Sequence, residues 1–359
     1  MCIRDSADAV LVIIWVGMSA YGVFGGADFG AGIWDLIAGG PERGARVRAL
    51  LERAIGPVWE ANHVWLIFVL VYLWTAFPEP FVAIATTMFI PLTLAAFGII
   101  FRGSAFAFRK WADTLSRRRL SGAAFAGASV LTPFFLGTVA GGVASGRVPL
   151  GNAAGDAITS WLNPTSLLGG VLAVVASAYL AAVLVCRDAD AEGSTDLAEY
   201  FRRRASVTGV IAGVAALAGV FVLRIDAPAL FDGLTSARGI PILAVSAIAG
   251  SVSLLLLSKR LYSVARGYAA LATVTVLWGW GVSQYPYLLE DQATVDAFAA
   301  PQAVLIGLVI AFAAAVLLVI PSLIWLFSLT QRGVLSEAGS SDSESSQALL
   351  GRLDSTTPR

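Results

Sequence analysis

The chain has 359 residues, of which 57% are hydrophobic and 13% charged, and its formal net charge is zero. A soluble chain of this length carries roughly a quarter charged residues to wet its surface, so the composition is that of a membrane protein and presents no basic surface for nucleic acid. Two cysteines, three methionines and a single histidine argue against a disulfide framework, a thiol redox motif, a metal centre or a self-contained haem protein.

Residues 1–6, MCIRDS, match neither an apolar helix nor a signal peptide with a cleavage site, and read as a non-native start. A bilayer core of about 30 Å needs about 20 apolar residues per helix. Nine segments approach that length, near residues 8–27, 56–77, 80–101, 122–143, 165–186, 205–223, 240–258, 266–283 and 303–329. Arginine and lysine test the map, because short cytoplasmic loops collect them. Twenty of the 24 basic residues fall in the odd-numbered loops and the C-terminal tail; only Arg4, Arg147, Arg224 and Arg238 fall on the other side. Nine crossings with the N-terminus outside and the C-terminus cytoplasmic satisfy this asymmetry.

Residues 7–330 therefore read as one polytopic membrane domain. Its last segment is interrupted by Pro321, where a kink is expected. Residues 331–359, with the run SEAGSSDSESSQ, are too polar to bury a core and read as a disordered cytoplasmic tail. Gly26 with Gly30, Gly137 with Gly141, and Gly142 with Gly146 have the spacing that lets helices approach closely in lipid.

The polar residues inside this apolar map are few. Asp28 lies in YGVFGGADFGAG at the end of the first segment, and GPVWEANHVWLIF places Glu60, Asn62 and His63 at the start of the second. At 1.5 Å per residue, Glu60 and His63 are about one turn apart on a shared face, with Trp59 one turn before His63 and Trp65 about a turn beyond Asn62. An ionisable group at such a place is costly when buried and charged, which makes it a functional candidate. Three plainer readings stand beside that one: Glu60 as a helix cap with His63 in packing, His63 as a haem ligand, and Glu60 to His63 as the Glu-x-x-His of a di-iron bundle. The last needs the motif on two helices and the chain has one histidine.

Two further clusters follow. FGIIFRGSAFAFR puts Arg102 and Arg109 after the third segment, where an arginine usually snorkels to lipid headgroups and alternatively contacts a quinone. WGWGVSQYPYLL, residues 278–289, ends the eighth segment at Pro286, so Gln284 is expected to satisfy freed backbone groups, with Trp and Tyr forming an interfacial belt.

In this order and separation, GGADFGAGIWDL, GPVWEANHVWLIF, FGIIFRGSAFAFR, TPFFLGTVAGGVASG and WGWGVSQYPYLL resemble subunit II of the cytochrome bd-type quinol oxidases, from about Ala7 to Leu329. The resemblance implies an all-α membrane subunit of nine helices, built as two four-helix bundles plus one peripheral helix. It implies a partner subunit I that carries two b-type haems, one d-type haem and the quinol site, in a bacterial inner-membrane complex that oxidises quinol and reduces O₂ to water. A structural quinone in this chain, a small accessory subunit and bound lipids are further partners it admits. It also implies a role for the opening cluster, since the acidic residue after the helix-two tryptophan and the aspartate ending helix one line a cytoplasmic proton path. Those positions are Glu60, after Trp59, and Asp28; Asn62 and His63 belong to the same group. Glu60 stands where many members have Asp, and His63 where others carry Gln or Glu. The competing classes are a secondary transporter, which would need paired broken helices at midplane, and a purely structural subunit.

Overall fold

In the computed structural model, the described backbone covers residues 3–40, 44–55, 59–109 and 115–331, and some side chains within those ranges lie outside the described set. The elements in chain order are α1 (Ile3–Ala20), a π-helical turn (Tyr21–Gly25), α2 (Gly26–Ile37), α3 (Ala45–Ile55), α4 (Trp59–Ala76), α5 (Pro78–Thr87) and α6 (Phe89–Arg109). They continue with α7 (Leu115–Ala144), α8 (Pro164–Ala191), α9 (Thr195–Asp226), α10 (Pro228–Leu234), α11 (Gly239–Ser258), α12 (Tyr262–Gln284), the strands β1 (Tyr287–Leu289) and β2 (Ala293–Thr294), and α13 (Gln302–Gln331). Met1–Leu305 and Ile306–Arg359 form two separate units; within the second, the helix runs on to Gln331 with Pro321 inside it, and residues 332–359, including the expected tail, lie outside the described ones.

Nearly all the described residues of the nine apolar segments lie in helix, with breaks at Phe77 and Met88. By length and apolarity, six of the described helices can cross a membrane, or seven when α5 and α6, bent by 82° at Met88, count as one. Two segments are not among them. Helix α4 spans Trp59–Ala76, of which the side chains of Asn62–Ala76 are described. The 23 residues of α12 are diluted by Arg266, Trp278, Trp280, Ser283 and Gln284. Instead of standing apart, residues 3–6 form the first turn of α1, where Ser6 is buried and Arg4 pairs with Asp296 at 3.5 Å.

Proline and capping residues set the breaks. Pro78, Pro164 and Pro228 occupy first helical positions, where a missing N–H costs nothing. Asn163 caps α8 by accepting from the Ser166 amide at 2.9 Å. Helix α8 is the centre of the first unit, packing against α2, α7, α9 and α12. Its run Ala178–Val183 is almost wholly buried together with Trp34, Leu50 and Phe201. Against α7 the contact is backbone on backbone: a Cβ at Gly137 or Gly169 would run into the other residue's main chain. Lipid tails are as apolar as Leu, so such close packing and interhelical hydrogen bonds, like Trp34 Nε1 to Ala178 O at 2.8 Å, hold the helices together.

At one end of the helices, a layer of loops is stitched by polar contacts. Arg147 bridges to Asp226, the Ala153 amide donates to Thr86 Oγ1 at 2.8 Å, the Leu150 amide donates to Gln292 Oε1 at 2.6 Å, and the Ala300 amide donates to Ala76 O at 2.8 Å. The antiparallel β1–β2 hairpin belongs to this layer, with Leu289 and Ala293 buried against Met88 and Val148. At the other end, α3 lies against α8, with Val47, Leu50 and Leu51 buried and Arg46 and Arg53 paired to Asp196 and Glu192.

Candidate functional site

The helix that starts the chain runs from Arg4 to Ile37 with a π-helical turn in its middle. Such turns carry one extra residue and occur frequently at functional sites. Directly after it comes Asp28, whose side chain is 1% exposed. Its partner is Arg102 of α6, 2% exposed, which donates from Nη2 to Asp28 Oδ1 at 2.5 Å and to the Asp28 carbonyl at 2.8 Å. The other terminal nitrogen donates to Ser129 Oγ of α7, and the Ser129 hydroxyl donates to the Phe125 carbonyl at 2.7 Å. The guanidinium lies over two rings, Phe125 at 4.5 Å and Phe29 at 5.0 Å. Gly32 makes the space, because a Cβ there would collide with Ser129.

Four helices therefore converge on one buried ion pair. Asn62 of α4 is 3% exposed and lies against the Asp28 carboxylate. His63 is half-buried, its ring 6.0 Å from that of Phe29, and Tyr21 stands 6.5 Å from the same ring on its other contact. Three polar atoms here, Asp28 Oδ2, His63 Nδ1 and Tyr21 Oη, are buried without a protein hydrogen-bond partner. Buried polar groups are nearly always paired, and three of the five unpartnered buried side-chain atoms among the described residues gather around this one ion pair.

The arrangement corrects one expectation. Arg102 does not snorkel to headgroups and does not face a quinone or lipid; its fork is consumed inside the protein. The reason is the bend at Met88, which starts α6 at Phe89 and carries it on to Arg109, so Arg102 sits two turns inside a helix rather than just past its end. The side chains of Trp59, Glu60 and Arg109 lie outside the described residues. Trp65 packs on Phe68 with ring centres 6.1 Å apart and is not part of the cluster. Gln284 is buried far along the chain, accepting from Trp280 Nε1 at 2.6 Å and donating to Leu288 O at 2.9 Å, beyond the helix end at Pro286. Sequence reasoning missed Tyr21, Phe29 and Ser129; only the spacing of Asp28 and Arg102, two opposite charges in two apolar segments, could have announced their pairing.

Among the described residues no group of three or more His, Cys, Asp or Glu converges. His63 lies beside the Asp28–Arg102 pair, its ring 6.0 Å from that of Phe29.

A family model described as cytochrome bd terminal oxidase subunit II matches residues 7–330. The chain belongs to that family. As a subunit II it is a multi-pass protein of the bacterial inner membrane and a member of a quinol-oxidase complex of the respiratory chain. It is 23% identical, over 81% of this chain and 86% of the relative, to a Bacillus subtilis (strain 168) protein named provisionally as a cytochrome bd menaquinol oxidase subunit II. A second relative from that strain, cytochrome bd ubiquinol oxidase subunit 2, is 31% identical over 41% of this chain and 43% of its own length. The fold matches the solved bd oxidase of Geobacillus thermodenitrificans with a TM-score of 0.70 at 24% identity, covering 90% of this chain and 98% of the other.

Proposed function

We propose that this subunit II delivers protons from the cytoplasm through the Asp28 cluster toward an oxygen-reducing site in a haem-bearing subunit I. The observation that carries the reading is the set of three buried, unpartnered polar atoms around the Asp28–Arg102 pair. Arg102 holds one carboxylate oxygen of Asp28 and leaves the other open to take a proton or a water molecule. His63 and Tyr21 extend the polar line along the faces of α4 and the π-helical turn. Glu60, with Trp59 and Asn62, is placed in the same path as its entrance, at the start of α4.

In this reading the two b-type haems and the d-type haem belong to subunit I, where they supply electron transfer and oxygen chemistry. The residues of this chain position and move protons. The chain crosses the membrane nine times, N-terminus outside, as two four-helix bundles and a peripheral helix, and residues 331–359 form a polar cytoplasmic tail. The asymmetry of arginine and lysine supports that orientation.

The test replaces Asp28 with Asn in the assembled complex and measures quinol-driven O₂ uptake beside haem content. Turnover falls about a hundredfold or more at unchanged haem content, the scale of losing a positioned proton donor, and Glu60→Gln falls in the same direction. Unchanged turnover and pH profile in Asp28→Asn would remove the proton role while leaving family membership intact.

A further inference from the structure

The rim where α9 begins and α11 ends holds positive charge that its own carboxylates do not balance. Glu199 accepts from Arg202 at 2.6 Å and from Arg203 at 3.1 Å, and Arg260, in the turn between α11 and α12, reaches the same carboxylate at 3.8 Å. Three cations share one anion. Asp190 is the second carboxylate whose field reaches this group, acting on the neighbouring Tyr262. Lys259, exposed and next to Arg260, adds another cation, while Asp196 and Glu192 nearby are already paired to Arg46 and Arg53.

The cations are also open. The side chains of Arg203 and Arg260 are 76% and 72% exposed. Arg203 spends its Nε on Glu199, which leaves its terminal nitrogens for another acceptor, and the Arg260 contact is a loose one. Lys259 caps α11 through its backbone N–H, which donates to the Leu255 and Leu257 carbonyls, and its side chain is exposed. The left-handed backbone of Arg260 (φ 61°) turns the chain so that the guanidinium crosses to α9.

What surrounds the rim identifies what it meets. Leu255 (53% exposed), Leu261 (50%) and Val264 (51%) flank the turn, and Val207 (59%) continues the apolar surface along α9. In a membrane subunit these side chains face lipid, so the cations stand at the depth where hydrocarbon gives way to headgroups. Cations at that depth, in excess over their own carboxylates and continuous with a lipid-facing surface, complement a phosphate diester rather than a soluble partner. We propose that Arg203, Lys259 and Arg260 form a binding site for the headgroup phosphate of an anionic phospholipid, which bridges α9 to the α11–α12 turn.

The experiment uses the purified oxidase complex in detergent doped with equal phosphatidylglycerol and phosphatidylcholine, with retained lipid counted by mass spectrometry. The wild type retains phosphatidylglycerol preferentially. The variant R203Q/K259Q/R260Q loses the preference, by about fivefold per cation removed, while R224Q/R238Q, on the far side of the basic asymmetry, keeps it. Raising the salt to about 0.5 M weakens the wild-type preference in the same direction. Equal retention of the two lipids by the wild type, or an undiminished preference in the triple variant, overturns the site. So does displacement of phosphatidylglycerol by millimolar inorganic phosphate, which would assign the rim to a soluble anion. Should the triple variant fail to assemble, the wild-type lipid and salt arms still decide.

Discussion

Two regions of the subunit treat an aspartate in opposite ways. In the loop layer, Asp226 accepts from both terminal nitrogens of Arg147, at 2.5 and 3.1 Å, and from the amide and hydroxyl of Thr165, at 2.9 and 2.6 Å. Close by, Asp156 accepts from the Ile158 and Thr159 amides and the Thr159 hydroxyl on a single oxygen. Among the four helices, Asp28 has a tighter burial and one cation, and one of its oxygens has no protein partner. Asp226 has both oxygens filled by groups that tie distant loops together, while Asp156 spends one oxygen on its own local turn and leaves the other at the exposed surface. Asp28 is held by half and left half open, although leaving a buried acceptor unfilled costs more than filling it. That contrast is what the proton path proposed above requires of Asp28, an acceptor left open rather than one filled for stability.

The largest blow to the contrast is Arg102→Leu. It strands the Asp28 charge in the interior and lowers the stability of the assembled complex by about 3–5 kcal/mol, read by thermal or denaturant unfolding, whereas the double change with Asp28→Leu recovers most of that loss. If the single and double variants were equally unstable, the pair would matter only through packing.

A smaller effect is expected from Asp226→Ala. Removing an acceptor with four donors costs about 2 kcal/mol, and it shows as faster amide exchange at Thr165 and through the loop of residues 145–163, with quinol-driven O₂ uptake in intact complex unchanged. A fall in turnover matching that of Asp28→Asn would erase the distinction between the two aspartates.

The smallest is a pH effect on Asp156. Donation by the Thr159 amide, then the Ile158 amide and the Thr159 hydroxyl, holds its carboxyl below the ordinary carboxylate range. A depressed carboxylate stabilises fully above its unfolded value, near pH 4, and that contribution is lost as pH falls through the folded value. The protection of the Ile158 and Thr159 amides relative to their intrinsic exchange rates should therefore stay constant above about pH 5 and fall toward about pH 3, a change that Asp156→Asn abolishes.

Much of the helical layout was legible from hydropathy, because lipid obliges each crossing to satisfy its own backbone and so to be long and apolar. The described residues of those segments are mostly helical, and Pro78, Pro164 and Pro228 mark breaks in the sequence itself. The loop layer was not legible. The β1–β2 hairpin is short, and the contacts of Gln292 with Leu150 and of Thr86 with Ala153 join residues that are 142 and 67 positions apart. For the site, Asp28 stood out as a charge in an apolar run, but Arg102 was assigned to the membrane surface. Its true depth follows from the 82° bend at Met88, which Pro91 marks in the sequence, since it has no amide to bond the Thr87 carbonyl and so favours a new helix starting at Phe89. Ser129 and Tyr21 gave no signal at all, since a hydroxyl in an apolar helix usually bonds its own backbone.

The π-helical turn at Tyr21–Gly25 has a geometrical consequence for the whole first helix. An α-helix advances about 100° per residue, so the residue absorbed in the wide turn resets the angular phase of everything after it. Before the turn, Trp15 and Ser19 address α12, through ring contacts with Trp278 and Trp280 and a hydrogen bond from Trp278. After it, Asp28 addresses α6 and Trp34 addresses α8. One continuous rod is thereby keyed to two sets of neighbours. A residue lost from the turn would be absorbed as ordinary α-helix, but a residue lost anywhere between Gly26 and Asp28 would swing the carboxylate by roughly a quarter of a circle or more and leave Arg102 facing bare backbone.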